Sequence, residues 1–518
     1  MPPFKSSRSS LTVLFVTLLS LASACGDARG DGNGSDNGDH PAAFSSLAKS
    51  DQALVDDLEK RTFGFFRDSS NQKNGLIPDH WPDDPTDKSS DYFSSIAAIG
   101  FGLTSYAIGV ERGWMKRSEA VTRTLTTLRT LTTLPEGTEA DASSYRGFFY
   151  HFLDMDTGRR YHSATWVELS TIDTTLLMSG VLFCQSYYDR NSKDEKEIRK
   201  LADDLYARID WTWASPRAPL VSMGWTPEAG FIHADWQGYD EAMILYILAL
   251  ASPTHPLDVS AWNAWTQTND RTWGSFQGQE HLGFAPLFGH QYSHVWIDFR
   301  GIQDDYMRGH GIDYFINSLR ATLAQREYAI HNPLQWKDYG QDIWGLTASN
   351  GPRAPAKRGE IDRYAADPKT FYGYIARGAG RIGTIDDGTI APTAAASSIA
   401  FAPNIAVPAI RAMKERYGDH VYTKYGFIDA FNPSFTFQDR KLRSGEIVPG
   451  VGWVDNLYLG IDQGPIIAMI ENYRSDFVWS VMRKNPHIRL GLERAGFKGG
   501  WLDAKPGRSS DAKKGRAR

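Results

Sequence analysis

An all-α fold, an (α/α)6 barrel of six inner and six outer helices, is the architecture this 518-residue chain predicts. Two observations lead to it. Helical patterns alternate between segments wet on one face and segments almost free of charge. Six segments of the second kind occur, and each connection before one combines aromatic with acidic or amide residues. A two-domain helical array is the structural alternative.

The N-terminus reads as a targeting segment. Lys5 and Arg8 precede the apolar run "LTVLFVTLLSL", and Ala22-Ser23-Ala24 follows as a small-residue cleavage site, so residues 1–24 form an expected export signal. "LASAC", Leu21 to Cys25, is similar to the lipobox of bacterial lipoproteins, although its leucine stands one place upstream of the usual position. A periplasmic or extracellular location is expected, as a plain secreted form or anchored to a membrane through lipidated Cys25. No later run is long and apolar enough to span a bilayer. Residues 25–48, with "GDARGDGNGSDNGDH", read as a flexible linker, 49–502 as the folded domain, and 503–518 as a disordered basic tail. Cys184 in "GVLFCQSYY" is expected to be a buried small hydrophobe, leaving the domain without an internal disulfide.

Within the domain the wet helices are "DQALVDDLEKRTFGFFRD", "SEAVTRTLTTLRTL", "SKDEKEIRKLADDLYARID", "DVSAWNAWTQT", "IDYFINSLRATLAQREYAI" and "PNIAVPAIRAMKERYG". Their apolar residues recur at three and four with charges opposite. The dry ones are "SSIAAIGFGLTSYAIGV", "STIDTTLLMSGVLF", "EAMILYILALA", "FAPLFGHQYSHVWI", "TAAASSIAF" and "GPIIAMIENY". Helices apolar on all sides belong inside. Strict alternation places every connection before a dry helix at one end, where a cleft would open. Those connections carry tryptophan, whereas "LPEG", "RGHG" and "RYGDH", expected at the opposite end, do not.

Net charge is −5 and tryptophan numbers 16, which argues against a nucleic-acid partner and suits a ligand with flat faces. Aromatic platforms among acids fit a polysaccharide: indoles stack on pyranose faces and carboxylates bond the hydroxyls. Cleaving a glycosidic bond needs one carboxylic acid to protonate the leaving oxygen and a second carboxylate as nucleophile or water activator. Glu241 opens the third dry helix behind a candidate N-cap, Asp240. The helix dipole lowers its pKa, while burial among Trp225, Trp236 and Tyr239 would raise it. Glu168 precedes the candidate N-cap Ser170 by two residues; its structural alternative is an ion pair with Arg159 or Arg160. Asp173 completes a capping box with Ser170. Asp387, with Asp386, fits either a turn at Gly388 or catalysis, and Asp462 either a cap on the last dry helix or catalysis.

"FGHQYSHVWIDFRG" gathers His290, Tyr292, Trp296, Asp298 and Arg300 as expected sugar contacts, joined by Asp154, Trp225, Trp236, Tyr239, Trp344 and Trp453. His290 and His294 have i, i+4 spacing, but no H-E-x-x-H pattern or third ligand accompanies them, so no metal and no cofactor are expected. Neither a G-x-S-x-G elbow nor a phosphate loop is present, and "RGAGRIG" reads as loop. The protein is expected to be a monomer.

Several stretches resemble the glucoamylase-like domain, whose members include bacterial endo-β-1,2-glucanases of glycoside hydrolase family 144: "GFFYHFLDMDTGRR", "ELSTIDTTLLMSG", "GYDEAMILYILALASPTHP", "FGHQYSHVWIDFRGI", "DDGTIAPTAAASS" and "LGIDQGPIIAMIENYRS". The resemblance spans about residues 54–502. It implies an (α/α)6 barrel that hydrolyses β-1,2-glucan with inversion and without a metal; the related domain of cyclic β-1,2-glucan synthases is retaining. Carried over by motif, the family's acids fall on Glu168, Asp173 and Glu241. Glu241 becomes the expected general acid, with Asp462, Asp387 and Glu168 competing as base. The segments "YHSATWV" and "RAPAKRGEIDRYAADPKTFYG" depart from the pattern. An exported endo-acting glycoside hydrolase is the resulting expectation. An exo-acting or transglycosylating enzyme and a non-catalytic glycan-binding lipoprotein are its rivals.

Overall fold

The computed structural model describes residues 41–84, 92–161, 167–353 and 370–504. The export signal, Cys25, the linker to residue 40, the tail beyond 504, and residues 162–166 and 354–369 of the two departing segments lie outside them. The described chain is rich in helix. All six wet patterns form helices: α1 (Lys49–Ser69), α3 (Arg117–Thr133), α5 (Lys193–Ala207), α7 (Ser260–Thr266), α10 (Tyr314–His331) and α12 (Pro403–Tyr417). So do the six dry ones: α2 (Ile96–Glu111), α4 (Thr171–Tyr187), α6 (Met243–Ala251), α8 (Phe288–Trp296), α11 (Pro392–Ala396) and α13 (Gly460–Ser475). Three short helices were not foreseen: α9 (Asp305–His310), α14 (Phe477–Met482) and α15 (Pro486–Arg494).

The dry helices touch one another in chain order, and the series closes on itself. Glycine permits the closest crossing, of α2 with α4: a Cβ on Gly100 would stand 2.3 Å from the Leu176 carbonyl oxygen, and one on Gly180 2.1 Å from that of Gly100. Helix α4 packs on α6. The Ile244 N–H of α6 donates to Ser293 Oγ of α8 at 3.1 Å. Gln291 of α8 donates to the Ala394 carbonyl of α11 at 2.8 Å. Thr393 of α11 donates to the Asp462 carbonyl of α13 at 3.0 Å. A Cβ on Gly464 of α13 would stand 2.1 Å from the Phe101 ring of α2, so glycine permits this approach as well. These hydrogen bonds satisfy polar groups that the apolar surroundings would otherwise leave costly. Wet helices lie outside, α1 against α2 and α13, and α5 against α3 and α4.

Short antiparallel strands tie together the connections that precede the dry helices. His80–Pro82 before α2 pairs with Leu457–Leu459 before α13. Leu169–Ser170 before α4 pairs with Gly224–Thr226 before α6. Ile390 before α11 bridges Phe431 before α13, and Leu287 before α8 donates its N–H to Leu346. One end of the molecule therefore carries all six connections. "LPEG" and "RYGDH" follow wet helices and so belong to this end, contrary to expectation. Trp114 follows α2 at the other end, so tryptophan is not confined to one rim.

Candidate active site

Four acids start the site, each delivered by the beginning of a dry helix. Ser170 caps α4: its Oγ accepts the Asp173 N–H at 3.1 Å and donates to Asp173 Oδ2 at 2.6 Å. In a full capping box the acid would reach back to the cap's own N–H; here it turns to the hydroxyl. Burial raises the Asp173 pKa, with His151 and Ser170 pulling down and Glu168 and Asp79 pushing up. Glu168 does not pair with Arg159 or Arg160, which bind Asp141 and Glu228. Its Oε1 lies 2.9 Å from Nδ1 of His151, whose Nε2 lies 3.4 Å from Asp173 Oδ2.

Regular helix α6 begins at Met243, two residues later than the sequence pattern places it. Asp240 does act at this end, accepting the Ala242 N–H at 2.9 Å and the Trp265 indole N–H at 3.2 Å. Glu241 sits in the turn, half-buried, and its carboxyl has no hydrogen-bond partner among the described residues. Burial holds its pKa well above the usual range; Asp173 and Asp240 add to the rise and His151 opposes it. The helix-dipole effect is thus outweighed.

Asp462 stands in the first turn of α13 but caps nothing, and its Oδ2 is buried without a partner among the described residues. Its side chain meets that of Asp429, whose pKa burial and Asp462 lift well above normal, while Asp462 is pushed up by burial to about 7. Asp429 Oδ1, like Asp462 Oδ2, is buried without a hydrogen-bond partner among the described residues. The Asn350 backbone N–H donates to Asp429 Oδ2 at 2.7 Å, and its side-chain amide to Asp455 Oδ2 at 2.9 Å. Two tyrosines lie within electrostatic reach of these acids. Tyr292 of α8 feels Asp462, Glu241 and Asp173, and Tyr374 feels Asp462, Asp79, Asp429 and Glu241. Tyr374 is 48% exposed. Half-buried Trp81 and Trp225 and exposed Tyr92 add further aromatic surface at this end.

Other sequence-chosen residues lie elsewhere. Asp387 is fully buried and clamped by Arg377, Nε to Oδ1 at 2.7 Å and Nη2 to Oδ2 at 2.8 Å, with the Tyr372 and Thr389 N–H groups also donating. Saturated in this way, it has no lone pair aimed at a water. Asp386 accepts from Tyr328 and Tyr339. Trp296, Trp344 and Trp453 are 0% exposed and Trp236 is buried with its N–H on Thr171 Oγ1, so these indoles are core, not platforms. Indole supplies large apolar area to any core, and composition does not tell the two uses apart. Tyr239 donates to His290 Nδ1 at 3.0 Å, and His290 Nε2–H donates to the Phe284 carbonyl at 3.1 Å; both are buried and mutually satisfied, with no atom left for a sugar or metal. Asp298 and Arg300 follow the C-terminal end of α8, joined to Asp476 and Arg483 at the end opposite the acids. Asp154 closes a turn on Thr157 at 2.8 Å. His151 and Asp429 were not singled out from sequence; "YHF" and "GFID" carry no signal beyond a polar residue amid apolar ones.

Residues 233–486 match the family model described as putative glucoamylase. A curated exo β-1,2-glucooligosaccharide sophorohydrolase (non-reducing end) of Parabacteroides distasonis is 26% identical over 88% of this chain, which spans 60% of that relative's length. A crystal structure of a putative glucoamylase from Bacteroides fragilis superposes with TM-score 0.73 at 30% identity, covering 88% of this chain and 99% of that one. An endo-β-1,2-glucanase from Chitinophaga pinensis, in complex with sophorotriose and glucose, gives TM-score 0.73 at 26% identity over 88% of this chain and all of its own. Glu241, Asp429 and Asp462 fall within the residues that the family model matches, with His151, Glu168 and Asp173 before them, and the chain belongs to the glucoamylase-like family.

Proposed function

We propose that the protein is an exported glycoside hydrolase that cuts linear β-1,2-glucan internally and with inversion. The six dry helices are read as the inner ring of an (α/α)6 barrel spanning 49–502, supported by their closed series of contacts. One observation carries the catalytic reading: Glu241, without a carboxyl partner among the described residues and with its pKa raised by burial, and Asp462, whose Oδ2 is buried without one, stand at a single helix-start end and both act electrostatically on Tyr292 and Tyr374. Glu241 gives its proton to the leaving oxygen, directly or through a substrate hydroxyl. Asp462 takes a proton from water as its oxygen bonds to the anomeric carbon. A base near pH 7 and an acid still protonated there suit neutral conditions. The β-1,2 linkage is supported by the names of the similar Parabacteroides and Chitinophaga enzymes, and the former gives the exo-acting reading its support.

Incubation with a panel of linear glucans tests this. Only β-1,2-glucan is expected to shorten, mixed oligomers are expected early, and NMR is expected to show a fresh α-anomer. A single disaccharide from the first time point transfers the reading to exo action. A protein inert on every glucan refutes the enzyme. Export rests on residues 1–25 alone; intact mass of protein purified from its native host is expected to place the mature N-terminus at or within a few residues of Cys25, with a lipid's added mass if anchored.

A further inference from the structure

We propose that His151 is a positioning residue of this site: as an imidazolium clamped between Glu168 and Asp173, it keeps Asp173 ionised beside Glu241 and so decides which buried acid carries the proton. The inference rests on the glycosidase reading for its kinetic consequence and on geometry for the clamp itself.

The backbone fixes the ring first. The His151 N–H donates to the Glu168 carbonyl at 2.9 Å, and its carbonyl accepts the Ile96 N–H at 3.3 Å, so the residue is tied to the connections of both α2 and α4. Its imidazole lies on the Phe152 ring, centroids 3.9 Å apart and planes 16° apart. Little freedom remains to rotate away. Each ring nitrogen then faces a carboxylate oxygen, Nδ1 to Glu168 at 2.9 Å and Nε2 to Asp173 at 3.4 Å. Ionised carboxylates only accept, whereas a neutral imidazole carries one lone pair. A neutral ring would set that lone pair against one of the anions; the doubly protonated ring donates to Glu168 and sets its positive charge against Asp173.

The charged and titratable groups facing His151 are Asp173 on α4, Glu168 and Asp79 in the neighbouring connections, and Glu241 at the start of α6. Burial disfavours the charged ring, yet Asp173 and Glu168, with Asp79, hold its pKa up at about 10. The ring therefore stays charged throughout the working range and is no acid–base shuttle. Its effect passes through Asp173. Without the cation only Ser170 opposes burial and the other carboxylates at Asp173, so its pKa rises further, and a proton there takes from Glu241 an anion whose upward pull exceeds the downward pull of His151.

Replacing His151 by Asn removes the charge while keeping a donor near Nδ1. An opposite charge this close displaces a carboxyl pKa by about 1–3 units. The basic limb of the kcat/KM profile on β-1,2-glucan, which Glu241 sets as the general acid, is expected to move down by up to that amount, because a proton on Asp173 withdraws the anion that helps keep Glu241 protonated. A profile superimposable on that of the unaltered protein overturns the proposal. Independently of the variant and of activity, 15N-histidine NMR of the unaltered protein is expected to show one ring that keeps both protons to pH 9. If every histidine ring titrates near 6.5 or below, the clamp does not exist. Should the protein cut no glucan, the function reading falls and the ring-nitrogen result alone decides on the clamp.

Discussion

Glu241→Gln is expected to lower kcat/KM on β-1,2-glucan by about 10²–10⁴-fold, the usual contribution of a general acid, and to leave oligosaccharide binding intact. Gln keeps the shape and can still donate a hydrogen bond, but it has no proton to transfer. The same substitution has a stability signature that a surface acid would not show. Burial, Asp173 and Asp240 hold the Glu241 pKa above its unfolded value. Between the two values the unfolded chain has released this proton and the folded one retains it, so stability falls as pH rises and the full cost is expressed above the folded pKa. Gln removes that cost. The melting temperature of the variant is therefore expected to exceed that of the unaltered protein at pH 7–8 and to converge with it below about pH 4, near the carboxyl's unfolded pKa. Steady-state kinetics, calorimetric titration with β-1,2-linked oligosaccharides and a melting series in pH check the three parts. Retained activity removes Glu241 from its role.

The alternation of wet and dry helices was legible because it depends on burial along each helix, which composition records directly. "STIDTTLLMSGVLF" shows its N-cap, its acid and its charge-free body in one stretch, and α4 starts where that pattern says. The short strands were not legible. A pair such as Gly378–Ala379 with Thr384–Ile385 is too brief for a two-residue period to appear. Tryptophan misled for a physical reason. Trp296 stacks on Phe101 at 4.8 Å in the interior, and nothing in its neighbours along the chain separates that fate from Trp81's partly exposed one. The acids divide similarly. Glu241 stood out as a charge heading an apolar helix, whereas Asp429 acquires meaning only when folding brings it to Asp462, thirty-three residues on. His151 matters only because Tyr150 bridges Leu169 and so sets the ring beside Glu168.

Asp387→Ala is expected to cost about 3–5 kcal/mol of stability, because it strands a fully buried guanidinium. Burial alone would raise the Asp387 pKa, but Arg377 overcomes it and holds the carboxyl below the usual range. A depressed pKa contributes stability that is present above the unfolded pKa and lost as pH falls through the folded one. The unaltered protein should thus lose this contribution only in strong acid, and the variant should have none to lose. Arg377 has further anchors in the carbonyls of Ser349 at 2.8 Å and Gly373 at 3.0 Å, so the pair ties the segment after α10 to the approach to α11. Replacing both members, Arg377→Met with Asp387→Leu, removes the unpaired charge and is expected to recover a large part of the loss in urea denaturation, less whatever those carbonyls forfeit. The measurement also separates two candidate bases. Asp387→Asn should keep kcat when activity is normalised to the folded fraction, while Asp462→Asn should lose it with the fold intact. If the folded Asp387→Asn protein is inactive, the water-activating role moves from α13 to the turn before α11, and the salt bridge must open during catalysis.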